Sequence, residues 1–142
     1  MDTIIIAYWT QTGNTKAMAE AVGEGVETAG KKADVRHISE VSMDRLREAQ
    51  AFALGCPAMG AEVLEEGEFE PFFTALEGKL PGKKVALFGS YGWGDGQWRR
   101  EWQERTEKAG AVLCGEGLIV NEAPDEAGLE SCRALGARLA SA

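Results

Sequence analysis

Apolar residues recur along the chain in two alternating rhythms, one of short continuous runs and one of helical period. Residues 2–8 read as a buried strand through Ile4-Ile5-Ile6-Ala7-Tyr8. Residues 14–29 then set Met18, Val22, Val26 and Ala29 near helical spacing, with Gly30 placed as a C-cap. Residues 33–38 look like a polar, edge-type strand, and Ser42 is positioned to cap a short helix through Leu46. Ala51-Phe52-Ala53-Leu54-Gly55 is a strand, followed by a helix with Phe69, Phe72, Phe73 and Leu76 on one face. Val85-Ala86-Leu87-Phe88 is a further apolar strand, and the helix after it pairs Trp98 with Trp102 at i, i+4, a core spacing. Strand-like runs occupy 111–120 around Cys114-Gly115-Glu116-Gly117. Pro124 fits the first turn of a last helix, with Asp125 and Glu126 where the dipole favours them and Leu129, Cys132, Leu135 and Leu139 as its buried stripe.

Strand and helix thus alternate five times, which predicts an α/β fold: a doubly wound parallel sheet of five strands with helices on both faces. Ligands of such sheets sit beyond the carboxyl ends of the strands, near the topological switch. The Gly-rich loops after residues 8, 55 and 88 all fall on that edge, so they are predicted to converge on one site. There are no internal repeats, long linkers or low-complexity segments, and 142 residues suit one domain, 1–142, with its own core.

Composition narrows the function. The net charge of −8 argues against nucleic acid, whose phosphates need clustered Lys and Arg. No apolar run approaches the ~18 residues of a membrane span and no signal-peptide pattern opens the chain, so a soluble cytoplasmic protein is expected. Cys56, Cys114 and Cys132 form no CxxC pair and leave an odd thiol, which predicts reduced thiols rather than a disulfide framework. With His37 the only histidine, read as a surface or sheet-edge residue, a metal site is poorly supported.

The stretch Thr10-Gln11-Thr12-Gly13-Asn14-Thr15 carries the clearest chemistry. It leads from a strand to a helix N-terminus, where free N–H groups and the positive end of the dipole hold an anion without a basic side chain. Thr10, Thr12 and Thr15 add hydroxyls and Asn14 an amide, and Gly13 lets the backbone approach phosphate oxygens. It lacks the lysine of a GxxxxGK[ST] loop and the GxGxxG spacing, so a single phosphate monoester fits best; a plain N-cap and turn is the alternative. Trp93, between Gly92 and Gly94, is placed to cover a planar ligand, or else to fold over the protein's own surface. Met59 can pack against a ring's other face or simply fill a gap. Glu62 can accept a ring N–H or stand as a solvated carboxylate. Together they suggest a phosphorylated flat heterocycle.

Thr10-Gln11-Thr12-Gly13-Asn14-Thr15, Gly55-Cys56-Pro57-Ala58-Met59-Gly60 and Gly89-Ser90-Tyr91-Gly92-Trp93-Gly94-Asp95-Gly96 together resemble the three FMN loops of flavodoxins, of the short-chain, clostridial-type branch. The resemblance covers nearly the whole chain in the same order and spacing. It implies the strand order 2-1-3-4-5, which periodicity does not give. It also implies an FMN site built from residues 10–15, from Pro57, Ala58, Met59, Gly60, Ala61 and Glu62, and from Ser90, Tyr91, Gly92, Trp93, Gly94, Asp95 and Gly96. Residues 10–15 would hold the phosphate, with Ser90 near the ribityl end. Trp93 would stack on the solvent-side face of the isoalloxazine, Met59 on the inner face, and Glu62 would accept flavin N3–H. The backbone of Gly92, Gly94 and Gly96 would line the pyrimidine edge, and Val120-Asn121-Glu122 maps to the last contact segment. Gly60 matches the residue whose carbonyl turns toward flavin N5. Two departures concern tuning: Ala61 stands where relatives often carry Asp or another polar residue, and Pro57 where some carry Ser.

A glycine at that turn reaches both signs of φ, so the Gly60–Ala61 peptide can invert at modest cost. A carbonyl bonded to N5–H only after one electron is added favours a neutral semiquinone. Glu62, Glu65, Glu66 and Asp95 oppose the anionic hydroquinone. The implied function is a low-potential one-electron carrier, not an enzyme with a catalytic residue. It would be a monomer shuttling mainly between semiquinone and hydroquinone and docking transiently on redox proteins, with no nucleic acid or membrane partner. An FMN-dependent NAD(P)H reductase is the alternative, disfavoured because Trp93 would cover the face that nicotinamide needs. A cofactor-free module on the same sheet is a third reading.

Overall fold

A computed structural model of the chain describes residues 3–59, 63–92, 94 and 96–141. Its first strand, β1 (Thr3–Tyr8), is apolar at nearly every position because it is buried on both sides. It pairs in parallel with β2 (Lys32–His37) and with β3 (Ala51–Gly55), and β3 in turn pairs in parallel with β4 (Lys84–Tyr91). Two short strands, β5 (Val112–Leu113) and β6 (Leu118–Asn121), both pair in parallel with β4, giving the order β2-β1-β3-β4-β5 with β6 beside β4. The predicted doubly wound sheet and its order are present.

The fifth sheet position differs in detail from the expected single run over 111–120. β5 takes Lys84 and Val85 as partners and β6 takes Phe88 to Tyr91. Between them the chain leaves the sheet at Gly115, whose φ is +78°. The excursion is tied to helix α4 (Gln97–Lys108), where Gln103 Oε1 accepts the Gly117 N–H and Arg99 pairs with Glu116. A second correction follows: Gly89, Ser90 and Tyr91 are not loop but the last residues of β4, extended because β6 supplies their partners.

Strand residues alternate between two layers. Ile4, Ile6, Ala53, Ala86 and Phe88 face α1 (Asn14–Thr28) and α5 (Glu126–Ser141). Ile5, Ala7, Phe52, Leu54, Val85 and Leu87 face α2 (Met43–Glu48), α3 (Phe69–Glu77) and α4. The second layer is filled by large rings: Phe69, Phe73, Trp98 and Trp102 are all buried, as the i, i+4 tryptophan spacing predicts. Phe72 is only partly buried. The first layer is tighter. A Cβ on Gly25 would overlap the Arg133 carbonyl, and one on Gly136 would overlap the Val22 carbonyl, so α1 and α5 meet backbone to backbone.

Helix ends follow the local chemistry. After α1, Gly30 N–H donates to the Glu27 carbonyl and Lys31 N–H to the Val26 carbonyl, a Schellman stop with Gly30 at φ +96°. Ser42 Oγ accepts the Arg45 N–H and caps α2. The last helix starts two residues after Pro124, not on it: Asp125 is the cap, its Oδ1 accepting Gly128 N–H at 2.8 Å, because that carboxylate satisfies the first turn directly. His37 ends the edge strand β2, with its ring edge-on to Tyr8 at 5.7 Å. All three cysteines are free thiols; Cys56 and Cys132 are buried and Cys114 partly so. Among the described residues no helix is long and apolar enough to cross a membrane.

Gly136→Ala is expected to destabilise the fold by about 1–3 kcal/mol in urea denaturation, because the added methyl must push α5 off α1. Gly78 has open space around its Cα and φ −71°, so Gly78→Ala is expected to be neutral or to stabilise by about 0.4–1 kcal/mol.

Candidate functional site

The carboxyl ends of β1, β3 and β4 open on one cleft of about 420 Å³. Tyr8 is level with Gly55 in the β1–β3 register and Gly55 with Phe88 in the β3–β4 register, so the three following segments leave the sheet side by side. The first supplies Thr10, Gln11, Thr12, Asn14 and Thr15 to the wall, the second Pro57, Ala58 and Met59, and the third Ser90, Tyr91 and Gly92. Glu122, the residue just past β6, completes the lining. It is held there by donating its N–H to the Tyr91 carbonyl at 2.7 Å, in a left-handed conformation of φ +55°.

The polar end of the cleft is the N-terminus of α1. Gly13 is its cap residue at φ +94°, a conformation that costs glycine nothing, and no side chain caps the helix. Thr10 Oγ1 accepts the Gly13 N–H at 3.0 Å, which folds the loop back over the helix start. The starts of α2, α3 and α5 each spend a side-chain oxygen on backbone N–H groups there. At α1 no side chain takes them, and Asn14 and Thr15 of the first turn line the cleft, as a helix N-terminus suited to an anion requires. Beneath them Thr15 Oγ1 and Ser90 Oγ lie 3.1 Å apart, both buried, and the Ser90 N–H also points to Thr15 Oγ1 at 3.4 Å. One hydroxyl donates to the other, leaving the remaining hydroxyl proton for a ligand oxygen.

The other end is soft and apolar, formed by Pro57, Ala58 and Met59. This segment is fastened to the sheet through Cys56 N–H to the Phe88 carbonyl at 3.1 Å and Ala58 N–H to the Ser90 carbonyl at 3.0 Å. Met59 and Val63 then form an antiparallel bridge with N···O distances of 2.8 and 3.0 Å. No basic side chain is among the described lining residues; the donors at the polar end are neutral groups and the positive end of the helix dipole. Among the described residues no cluster of His, Cys, Asp or Glu could hold a metal ion.

The structure therefore brings most of the sequence-predicted positions together, with Gly13 as the cap behind the wall. Gly94 and Gly96 stand apart from the described lining: both have positive φ, and Gly96 is the cap residue of α4. Gly60, Ala61, Glu62, Trp93 and Asp95 lie outside the described residues, as does Asp2 at the start of the expected first strand. Of two neighbours of the site, one went unread in the sequence and the other was read in a different role. Trp9 Nε1 donates to Glu68 Oε1 at 2.9 Å, tying the first loop to the start of α3. Glu65, expected among the charges facing the cleft, turns its carboxylate onto the backbone N–H groups of Gly67, Glu68 and Phe69. An acidic residue just before an apolar helical stripe was the available signal for that role.

The chain matches the family model described as Flavodoxin over residues 6–136. It is 48% identical to a flavodoxin of Clostridium beijerinckii over 96% of this chain and 98% of that protein. It is 47% identical to a flavodoxin of Megasphaera elsdenii, over 96% and 98%. The solution structure of two-electron reduced Megasphaera elsdenii flavodoxin superposes with a TM-score of 0.89 at 45% identity, covering 98% of this chain and 99% of that one. With the cleft at the switch point of a 2-1-3-4-5 sheet, these matches settle the family: the chain belongs to the flavodoxins, flavin-bearing proteins that carry electrons to other proteins and do not themselves transform a substrate.

Proposed function

We propose that the flavin is FMN, bound non-covalently, and that the chain is a low-potential carrier moving one electron at a time between the one-electron-reduced and fully reduced forms of the cofactor. The observation that carries the reading is the uncapped N-terminus of α1 above the buried Thr15–Ser90 hydroxyl pair, at the polar end of a cleft whose other end is apolar. Those residues fit a phosphate monoester: free N–H donors, the hydroxyls of Thr10, Thr12, Thr15 and Ser90, the Asn14 amide and a positive dipole end, with no cation needed. Pro57, Ala58 and Met59 fit the flat apolar body that such an ester would carry.

Bound FMN supplies the redox chemistry, accepting and releasing electrons singly. The chain's own residues do the rest. The first-turn N–H groups of α1, with Thr15 and Ser90, hold the phosphate and exclude water from it. In this reading Met59 packs on the inner face of the ring, Trp93 covers the outer face and Glu62 accepts its N3–H. The Gly60 carbonyl would be available to accept a hydrogen bond from the ring, since a glycine at that turn can take either sign of φ. With no basic side chain among the described lining residues and Glu122 at the rim, the cleft opposes a build-up of negative charge, which separates the two electron steps. The net charge of −8 favours docking on basic faces of redox proteins, weakened by salt. The chain acts in this reading as a single-domain monomer in the cytoplasm.

The direct test is anaerobic stepwise reduction of the FMN-loaded protein followed by visible absorption. More than half of the cofactor is expected to pass through a long-wavelength-absorbing one-electron form. Direct passage from yellow to colourless, or rapid bleaching by NAD(P)H alone, would overturn the reading in favour of a two-electron reductase. The phosphate assignment has its own check. Thr15→Val removes a buried hydroxyl and strands Ser90, so FMN affinity is expected to fall about tenfold or more while affinity for riboflavin, which lacks the phosphate, stays within about twofold.

A further inference from the structure

The hairpin that begins at the Met59–Val63 bridge has two legs with different anchors. The first is bonded to β4 through Cys56 and Ala58, as described above. The second, Val63-Leu64-Glu65, buries Leu64 in the aromatic layer and reaches its anchor at Glu65. That residue makes contacts in both directions. Its backbone N–H donates to Cys56 Sγ at 3.5 Å, joining the second leg to the first. Its carbonyl accepts the Glu70 N–H at 2.8 Å. Its carboxylate takes three more donors: Oε1 accepts Glu68 N–H at 2.7 Å and Phe69 N–H at 2.8 Å, and Oε2 accepts Gly67 N–H at 2.7 Å.

We propose that Glu65 is a positioning residue of the cofactor site, a clamp that joins the start of α3 to the return leg of the Met59–Val63 bridge and thereby holds Met59 in place in the wall of the cleft. The link to the cofactor rests on the FMN reading given above; the clamp itself does not.

A cap that served only its helix would sit on the helix and touch nothing else. Glu65 sits three residues before the cap position of α3 and two after Val63. The same residue whose carboxylate takes the N–H groups of Gly67, Glu68 and Phe69 at the start of α3 therefore also bonds, through its own N–H, to the sulfur of the opposite leg. Glu65 thus ties both legs to the helix. Charge strengthens the hold, since carboxylate-to-N–H bonds are roughly twice as strong as neutral ones. Partial burial pushes the Glu65 carboxyl up, and the N–H groups of Phe69, Glu68 and Gly67 together outweigh it, leaving the group below the ordinary glutamate range and ionised at neutral pH. A glutamine is nearly the same shape but turns an amide NH2 toward one of the donors. It keeps the packing and loses one bond and the charge.

The test compares Glu65→Gln with Ser42→Ala, which strips an equivalent cap from α2 without touching the hairpin. Amide hydrogen exchange at Met59 and Val63 is measured on the cofactor-free proteins, and the separation of the two one-electron potentials on the FMN-loaded ones. Glu65→Gln is expected to speed exchange at both amides about tenfold beyond any change in global stability. It is also expected to narrow the separation by about tenfold in equilibrium constant, about 59 mV for one electron. Ser42→Ala is expected to lower global stability and leave both readouts where they are in the unaltered protein. Unchanged exchange at Met59 and Val63, or an equal increase in Ser42→Ala, overturns the clamp. Faster exchange with an unchanged separation overturns the link to the cofactor and reduces Glu65 to a helix cap. If the unaltered protein takes up no FMN, the functional reading fails, and the exchange arm still decides the clamp.

Discussion

The double pairing of β1 is the constraint on which the site depends. Hydrogen-bonded in parallel to β2 on one side and β3 on the other, the strand cannot slide by a residue without turning Ile4 and Ile6 into the wrong layer. Tyr8 is thereby held level with both His37 and Gly55. The connection to β2 crosses one face of the sheet and that from β3 to β4 crosses the other. The chain leaving β1 therefore comes out at the crevice between them. The first helix has to begin there, with its donors toward the opening. The opening of the α1 N-terminus onto the cleft is thus a product of topology before it is a product of side chains; the threonines and Ser90 refine a position that the sheet has already set.

How much of this was legible in the sequence depended on whether a local signal existed. The buried strands Ile4–Tyr8 and Phe52–Leu54 announce themselves by continuous apolar runs, and Ser42 and Gly30 mark helix ends by chemistry that is local to a few residues. The third loop was misjudged at its start because Gly89-Ser90-Tyr91 looks like turn sequence. What makes it strand is a partner, β6, some thirty residues away, and the close approach of the Cys56 carbonyl that leaves no room for a Cβ on Gly89. The split of the last sheet position was hidden for the same reason, since the bonds from Gln103 and Arg99 that hold the excursion are tertiary.

The candidate site shows the same division. The place of the loop from Thr10 to Thr15 in the cleft wall was readable because its backbone and hydroxyl donors lie close together in sequence. The Thr15–Ser90 contact, the Trp9–Glu68 tie and the multiple bonds of Glu65 link segments that only the fold brings together. Charge counting could not foresee that one of the acidic residues near the site is committed to a helix end. A carboxylate fully engaged by backbone N–H groups contributes far less outward field than an exposed one, so the potential at the cleft depends on which acids are already satisfied.

The backbone contact between α1 and α5 has a consequence for how the molecule is made. Arg133 bonds to Glu24, 109 residues earlier, and Gly136 lies against the Val22 carbonyl. One whole layer of the protein is therefore assembled from its first and its last helix. During synthesis the apolar stripe of Met18, Val22 and Val26 has no cover until α5 has been made. Contacts of such long sequence separation form late and slowly. The aromatic layer, built from the middle of the chain, can consolidate first. Until α5 docks, α1 and its N-terminus at the cleft lack that support, which lengthens the interval open to misassembly or proteolysis.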